Sequence, residues 1–202
     1  MNAIDQSRTR TMRKRWKRAA NAIGGVILIA GLSVGGYLGA LQLTGNFHPV
    51  VAGQLYRSAQ PAAEDIAHYA KTYGIKTIIN LRGENSGSLW YDAEIARAKK
   101  IGITHVDFGM SARRELTQAE AAELIAILER AAKPILIHCK AGADRSGLAS
   151  ALYVAAVAKL GETAAEQQIS IRYGHISLPL SDTYAMDRTF EALEPWLGFP
   201  DS

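Results

Sequence analysis

Short β-branched runs that alternate with segments of helical period, from about residue 55 to the C-terminus, predict an α/β fold. The central sheet is expected to be mostly parallel, with helices on both faces. A charge-free stretch at 19–43, directly behind a basic cluster, adds one N-terminal transmembrane helix. The 202 residues thus divide into a basic cytoplasmic N-terminus (1–18), an apolar anchor (19–43) and one soluble domain (44–202).

The anchor rests on length and flank. Residues 8–18, RTRTMRKRWKR, carry seven Lys/Arg and no acid, and Ala19–Leu43 then holds no charged side chain. About 20 apolar residues suffice to cross a bilayer as a helix. Bases on one flank keep it in the cytoplasm, so the domain is expected on the outer, periplasmic side of the inner (plasma) membrane, as a single-pass protein. The same bases would touch anionic lipid headgroups. A cleavable signal is the rival reading. Its apolar core runs about 7–15 residues and ends in a small-x-small site, whereas this stretch is longer and Gly39-Ala40 is a poor cleavage site. Gly31, Gly35 and Gly39 recur every four residues, a spacing that would allow a weak dimer through close helix–helix approach, although glycine is also common in membrane helices. The formal net charge of +4 comes from the N-terminus. Residues 44–202 hold sixteen Lys/Arg and eighteen Asp/Glu, a balance that argues against a nucleic-acid partner.

The soluble part opens with VAGQLYRSAQP, a short strand leading into a turn at Pro61. In AAEDIAHYAKTYG, Ile66, Tyr69, Ala70 and Tyr73 have helical spacing, and Gly74 is placed to end the helix. IKTIINL (75–81) is a β-branched run, a buried strand. LWYDAEIARAKKIG (89–102) gives a second helix, again closed by glycine, and ITHVDFGM (103–110) alternates as a strand does. Thr117 and Glu120 make a capping-box pattern that opens a third helix. KPILIH (133–138) is a further apolar strand, and RSGLASALYVAAVAKLG (145–161) reads as one long buried helix. TAAEQQISIRYG (163–174) and SDTYAMDRTFEALEPWL (181–197) supply two more helices.

The one cysteine, Cys139, sits where the strand at 133–138 gives way to a tight loop and then a helix. Ligands of open α/β sheets bind outside the carboxyl ends of strands. A loop there that runs into a helix N-terminus offers backbone N–H groups to an anion. Gly142 lets the chain turn so that the N–H groups of Lys140, Ala141, Gly142, Ala143 and Asp144 converge as a nest suited to phosphate. Arg145 adds a planar fork for two phosphate oxygens. A thiol at the floor of such a positive field is favoured as thiolate. Most free cysteines simply pack in the core, but here His138, Gly142, Arg145 and Ser146 lie at fixed offsets after a strand.

HCKAGADRS resembles the His-Cys-x5-Arg-Ser/Thr loop of the cysteine-dependent protein tyrosine phosphatases. LYRSAQP (55–61), TIINLRGE (77–84), FGMSARREL (108–116) and AMDRTFEAL (185–193) fall in the order seen in the compact, atypical dual-specificity phosphatases, including bacterial exported and plant and fungal members. The resemblance covers roughly 50–197. It implies the dual-specificity phosphatase fold, with Cys139 as nucleophile and Arg145 binding the phosphoryl group. Ser146 would assist departure of the thiolate when a phosphocysteine is hydrolysed. No metal or cofactor is implied, and His48, His68, His105, His138 and His175 show no ligand spacing.

A general acid must protonate the leaving oxygen. Many relatives place an aspartate in the loop that here reads MSARREL (110–116), where Glu115 is the only carboxylate. Asp107, inside the preceding strand, is the second candidate; each also has a plain reading, Asp107 as a solvated strand residue and Glu115 as an exposed loop acid. Asp144 is expected to point away from the anion and to hold Arg113, Arg114 or Lys140. Arg82, at the carboxyl end of its strand, either touches substrate or is structural. These residues predict a membrane-anchored hydrolase of phosphomonoesters, acting on phosphotyrosine or with dual specificity on a phosphorylated protein or small phosphoester. The alternatives are a phospholipid or inositol polyphosphate phosphatase of the same fold, and a phosphate-binding module without activity.

Overall fold

The structure, a computed structural model, describes residues 3–199. The chain forms two compact units, Met1–Ala40 and Leu41–Ser202. Helix α1 (Ala3–Leu43) makes up the first unit and lends its last turn to the second. Within it, Ala20–Leu43 is long and apolar enough to cross a membrane. Side chains of the basic cluster, apart from Trp16 and Lys17, lie outside the described residues. A Cβ built on Gly31, Gly35 or Gly39 would meet nothing within 4 Å.

In the second unit five strands lie in the order β1-β2-β5-β3-β4: β1 (His48–Val51), β2 (Leu55–Ser58), β3 (Thr77–Asn80), β4 (Thr104–Asp107) and β5 (Ile135–His138). Only the β1–β2 pair is antiparallel; β2–β5, β5–β3 and β3–β4 are parallel. This is the α/β, mostly parallel sheet expected from the alternation of runs. Strand β1 was not expected. Its HPVV sequence carries a proline and does not alternate, and proline is tolerated there because β1 lies at the edge of the sheet.

Alternate strand residues feed two cores, as the two-residue strand period requires. Tyr56, Ile78 and Leu136 pack with Ile66 of α2 (Ala63–Tyr73) and Ala98 of α3 (Leu89–Ile101). Leu55, Ile79, Ile135 and Ile137 pack on the other face with α4 (Gln118–Arg130), α5 (Asp144–Leu152) and α7 (Ala185–Leu197). Each fully buried Ile or Leu stabilises by about 1.5–3 kcal/mol relative to an exposed one. The Thr117–Glu120 capping box opens α4 as expected, with both reciprocal bonds made.

Three helices differ from their sequence-based extents; the one expected over 181–197 opens as a 3-10 turn, Asp182–Tyr184, before α7 begins at Ala185. The long helix expected over 145–161 ends at Leu152 and continues as one π-helical turn, Tyr153–Val157, where the buried Tyr153 hydroxyl donates to Gln54 Oε1 at 2.8 Å. The helix expected over 163–174 is α6 (Glu162–Glu166) followed by a 3-10 turn, Ile171–Tyr173. The reason lies in its carbonyls. Those of Gln168 and Tyr173 accept from the side chains of Arg57 and Asn46.

Candidate active site

Strand β5 is central, and its last residue, His138, pairs with Ser58 of β2 and Asn80 of β3. Cys139 therefore leaves the sheet between two parallel neighbours, at their carboxyl ends, and is 2% exposed. The loop that follows wraps onto the end of β2. Gly142 has φ +70°, and a Cβ there would come within 2.5 Å of the Ala59 nitrogen and 2.7 Å of the Ser58 carbonyl carbon. No side chain fits at that position.

The carbonyl oxygens of the loop are held one by one from outside. Gln60 N–H donates to Lys140 O at 3.3 Å, and Asn46 Nδ2 donates to Ala141 O at 3.0 Å. Arg57 Nη2 donates to both Gly142 O (3.0 Å) and Ala143 O (2.8 Å). In a planar trans peptide the N–H points opposite to the preceding carbonyl. Fixing these four carbonyls outward therefore turns the N–H groups of Ala141, Gly142, Ala143 and Asp144 to the inside of the loop, which forms an anion nest.

Buried polar atoms without partners follow the loop in the first turn of α5. Arg145 Nη1 is held against Met110 O (3.3 Å) and Leu81 O (3.4 Å), while its buried Nε has no partner among the described residues. The buried Ser146 Oγ is likewise unpaired. A phosphoryl group would satisfy these donors, so the residues fit the anion that the sequence implied.

Arg57 is the principal residue that sequence reasoning missed. It is 0% exposed, stacks 4.2 Å from the Tyr173 ring centroid, and spends Nη1 on Gln168 O at 2.8 Å. Burial lowers its pKa to about 10, against the opposing pull of Cys139, Tyr173 and Asp144, so it stays a cation at neutral pH. A full positive charge thus lies directly behind the loop. Its one signal in the sequence was a charged residue at the third position of an otherwise buried strand.

A second buried set holds His138, the residue before Cys139. Glu94, 1% exposed, accepts from His138 Nε2 (2.8 Å) and His105 Nε2 (2.7 Å) on one oxygen and from Gln60 Nε2 (2.6 Å) on the other. Burial alone would raise its pKa, but the hydrogen bonds from His105, His138 and Gln60 outweigh that and lower it to about 2. Gln60 in turn accepts from Arg82 Nη1 at 2.9 Å, and the Arg82 guanidinium lies 3.6 Å from the Trp90 ring centroid. Burial and the charge of Arg145 lower the pKa of Arg82, which places two cations near one another at the strand ends. The spacing of Tyr91, Glu94 and Ala98, all buried on one face of α3, was the legible sign of Glu94.

Asp144 corrects an expectation. Arg113 and Arg114 pair instead with Asp182 and Glu120, and the Asp144 carboxylate accepts from His175 Nδ1 at 2.8 Å. His175 Nε2 reaches Asp187 Oδ2 at 2.7 Å. Burial would lower the pKa of His175, but the two carboxylates outweigh it and raise it. The Asp144 carboxylate is thus engaged by His175, on the side of α7.

The two candidate acids lie apart. Asp107 ends β4 and accepts from Asn80 Nδ2 (2.8 Å) and from the Tyr91 hydroxyl (2.6 Å). That bond from Tyr91 holds its phenol protonated well above the usual range. Glu115 is half exposed and accepts from Arg188 Nε at 2.5 Å. Its neighbour Leu116 donates its N–H to Thr189 Oγ1 at 3.2 Å. Three successive residues near the start of α7, Asp187, Arg188 and Thr189, thus hold His175 and the loop that carries Glu115.

Comparison with known proteins agrees with this geometry. The family model that matches, over residues 34–166, is described as the tyrosine phosphatase family. No curated protein matches the sequence. Among solved structures, TpbA of P. aeruginosa is similar with a TM-score of 0.59 at 23% identity, covering 77% of this chain and 92% of that one. A variant of TpbA in complex with pTyr has the same TM-score at 22% identity, covering 79% and 93%. The core catalytic domain of the PP-IP phosphatase SIW14 from S. cerevisiae, in complex with citrate, gives 0.54 at 23% identity, covering 76% and 93%. PTPMT1 gives 0.55 at 16% identity, covering 75% and 98%. Likeness at such identities establishes the shared fold, and the family match over more than half of the sequence establishes membership: the chain belongs to the tyrosine phosphatase family.

Proposed function

We propose that the protein is a membrane-anchored phosphatase that hydrolyses phosphomonoesters through a phosphocysteine on Cys139, acting on phosphotyrosine or with dual specificity. The observation that carries this reading is the loop after β5. Its carbonyls are tied from outside, and Arg145 Nε and Ser146 Oγ, buried in the helix turn that follows Cys139 and its loop, have no partner among the described residues. In the first step Cys139 Sγ attacks phosphorus, and the S–P bond forms as the P–O bond to the leaving group breaks. The leaving oxygen takes a proton from Glu115, the more exposed and less engaged of the two acids, with Asp107 as the second candidate. Arg145 and the loop N–H groups carry the charge on the equatorial oxygens. Water then gives a proton to the Glu115 carboxylate and attacks phosphorus, the S–P bond breaks and inorganic phosphate leaves, while the Ser146 hydroxyl donates to the departing thiolate.

The likeness to TpbA bound to pTyr supports the phosphotyrosine reading, and that to the PP-IP phosphatase supports a second, in which the same loop takes an inositol phosphate. The apolar Ala20–Leu43 helix and the basic cluster before it support the anchor and an outward-facing domain. The full chain in detergent is assayed against phosphotyrosine peptide, phosphoserine peptide, an inositol pyrophosphate and phosphatidylglycerophosphate, with Cys139→Ser as background. Preference for phosphotyrosine is expected. Preference for either of the last two replaces the substrate reading, and no turnover of any of the four defeats the phosphatase reading.

A further inference from the structure

The second unit begins with the last turn of α1, and that turn reaches the phosphate loop. Gly45 (φ +72°) and Asn46 (φ +45°) reverse the chain between α1 and β1. Asn46 N–H returns to Leu41 O at 2.8 Å, and Ala59 N–H donates to Gly45 O at 2.8 Å. Asparagine is one of the few residues that adopts a left-handed backbone readily. A plain turn leaves its side chain in water, however, and Asn46 is 1% exposed.

Every side-chain polar atom of Asn46 is used. Nδ2 donates to Ala141 O at 3.0 Å and to Tyr173 O at 2.8 Å, and Oδ1 faces His48 Nε2 at 3.0 Å. Gln42, one helical turn earlier, donates Nε2 to the same Ala141 O at 3.2 Å. Two side chains from the exit of α1 thus converge on one carbonyl of the loop, and Asn46 at once ties that carbonyl to the Tyr173 backbone. By peptide planarity the Ala141 carbonyl sets the direction of the Gly142 N–H. The ring of Tyr173 also carries the stacked Arg57, so the brace and the buried cation share a platform.

We propose that Asn46, assisted by Gln42, is a positioning residue that aims the Gly142 N–H at the phosphoryl group. The end of the candidate membrane span thereby becomes part of the scaffold of the site. This rests on the phosphatase reading for its purpose, but its geometry can be measured without turnover. A turn that served folding alone would contribute to stability and leave anion affinity unchanged.

The test uses the full chain in detergent. Inorganic phosphate should protect Cys139 from iodoacetamide, and the protection constant would read the nest directly. Asn46→Gly keeps the left-handed backbone and removes the amide. Gln42→Ala removes the second donor at an exposed helix position. Asn46→Gly should weaken phosphate protection about tenfold, the effect of one misaimed donor to an anion. Gln42→Ala should weaken it about twofold with an unchanged melting temperature, which separates positioning from folding. Wild-type protection in both variants overturns the proposal, whatever the melting temperature of Asn46→Gly. A wild-type chain that phosphate protects but that hydrolyses no ester defeats the function above and leaves this brace measurable. A wild-type chain that phosphate does not protect overturns both.

Discussion

Replacing Arg57 by methionine removes a cation and three donors while keeping most of the side-chain volume. Gly142 O and Gln168 O lose the bonds at 3.0 and 2.8 Å that hold them, whereas Ala143 O keeps the Gly147 N–H at 2.8 Å. A buried carbonyl left bare costs about 1–3 kcal/mol, so two cost about 2–6 kcal/mol. Relief from burying a cation offsets part of that, and a net loss of about 3 kcal/mol is expected. For a chain of this size that lowers Tm by roughly 6–12 °C. The effect on catalysis should be larger, because the Ala143 N–H, which the Gly142 carbonyl aims, loses its direction. Loss of one preorganised oxyanion donor typically costs about 10²–10³ in kcat. The assay pairs p-nitrophenyl phosphate kinetics and phosphate inhibition with thermal melts, all at neutral pH. Arg57→Lys keeps the charge without the planar fork and should recover stability more than activity. An Arg57→Met chain that melts early yet keeps kcat/KM within a factor of about two would refute the argument that Arg57 orients the loop.

The acid and His175 give two further predictions. Glu115→Gln should slow hydrolysis of alkyl phosphates about 10²–10⁴-fold and aryl phosphates far less, because a good leaving group needs no proton. If Asp107→Asn alone shows that dependence, the strand residue is the acid. The pKa of His175 is raised above 6.5 in the folded chain by Asp144 and Asp187. Its contribution to stability is therefore complete below pH 6.5 and is lost as pH rises through the folded value. Thermal melts from pH 6 to 9 should show an alkaline loss in the wild type that His175→Gln lacks, and an equal slope in both would show that the pair of carboxylates does not hold it charged.

The loop after β5 was legible because its thiol, glycine and guanidinium lie within a few consecutive residues, where spacing alone places them together. Its braces were not. Asn46 reaches Ala141 across 95 positions, Arg57 reaches Gly142 across 85, and Glu94 reaches His138 across 44. Nothing local in the sequence states those pairings. The nearest bases, in the adjoining loops, do not hold Asp144; its partner is a histidine 31 positions on that folds back beside α7. The strands β3 and β5 were plain from β-branched runs, whereas β1 lacked alternation. The ends of the helices after α5 shifted because their carbonyls were claimed by side chains from the other end of the chain.

A phosphoryl group on Cys139 is the direct sign of the mechanism. Full-length protein turning over p-nitrophenyl phosphate is quenched rapidly in acid, digested, and its peptides are weighed. The peptide containing Cys139 should carry a phosphoryl group during turnover and lose it once substrate is exhausted, and Cys139→Ser should form none and release no nitrophenol. Steady turnover with that peptide unmodified, or turnover by Cys139→Ser at the wild-type rate, would contradict the account.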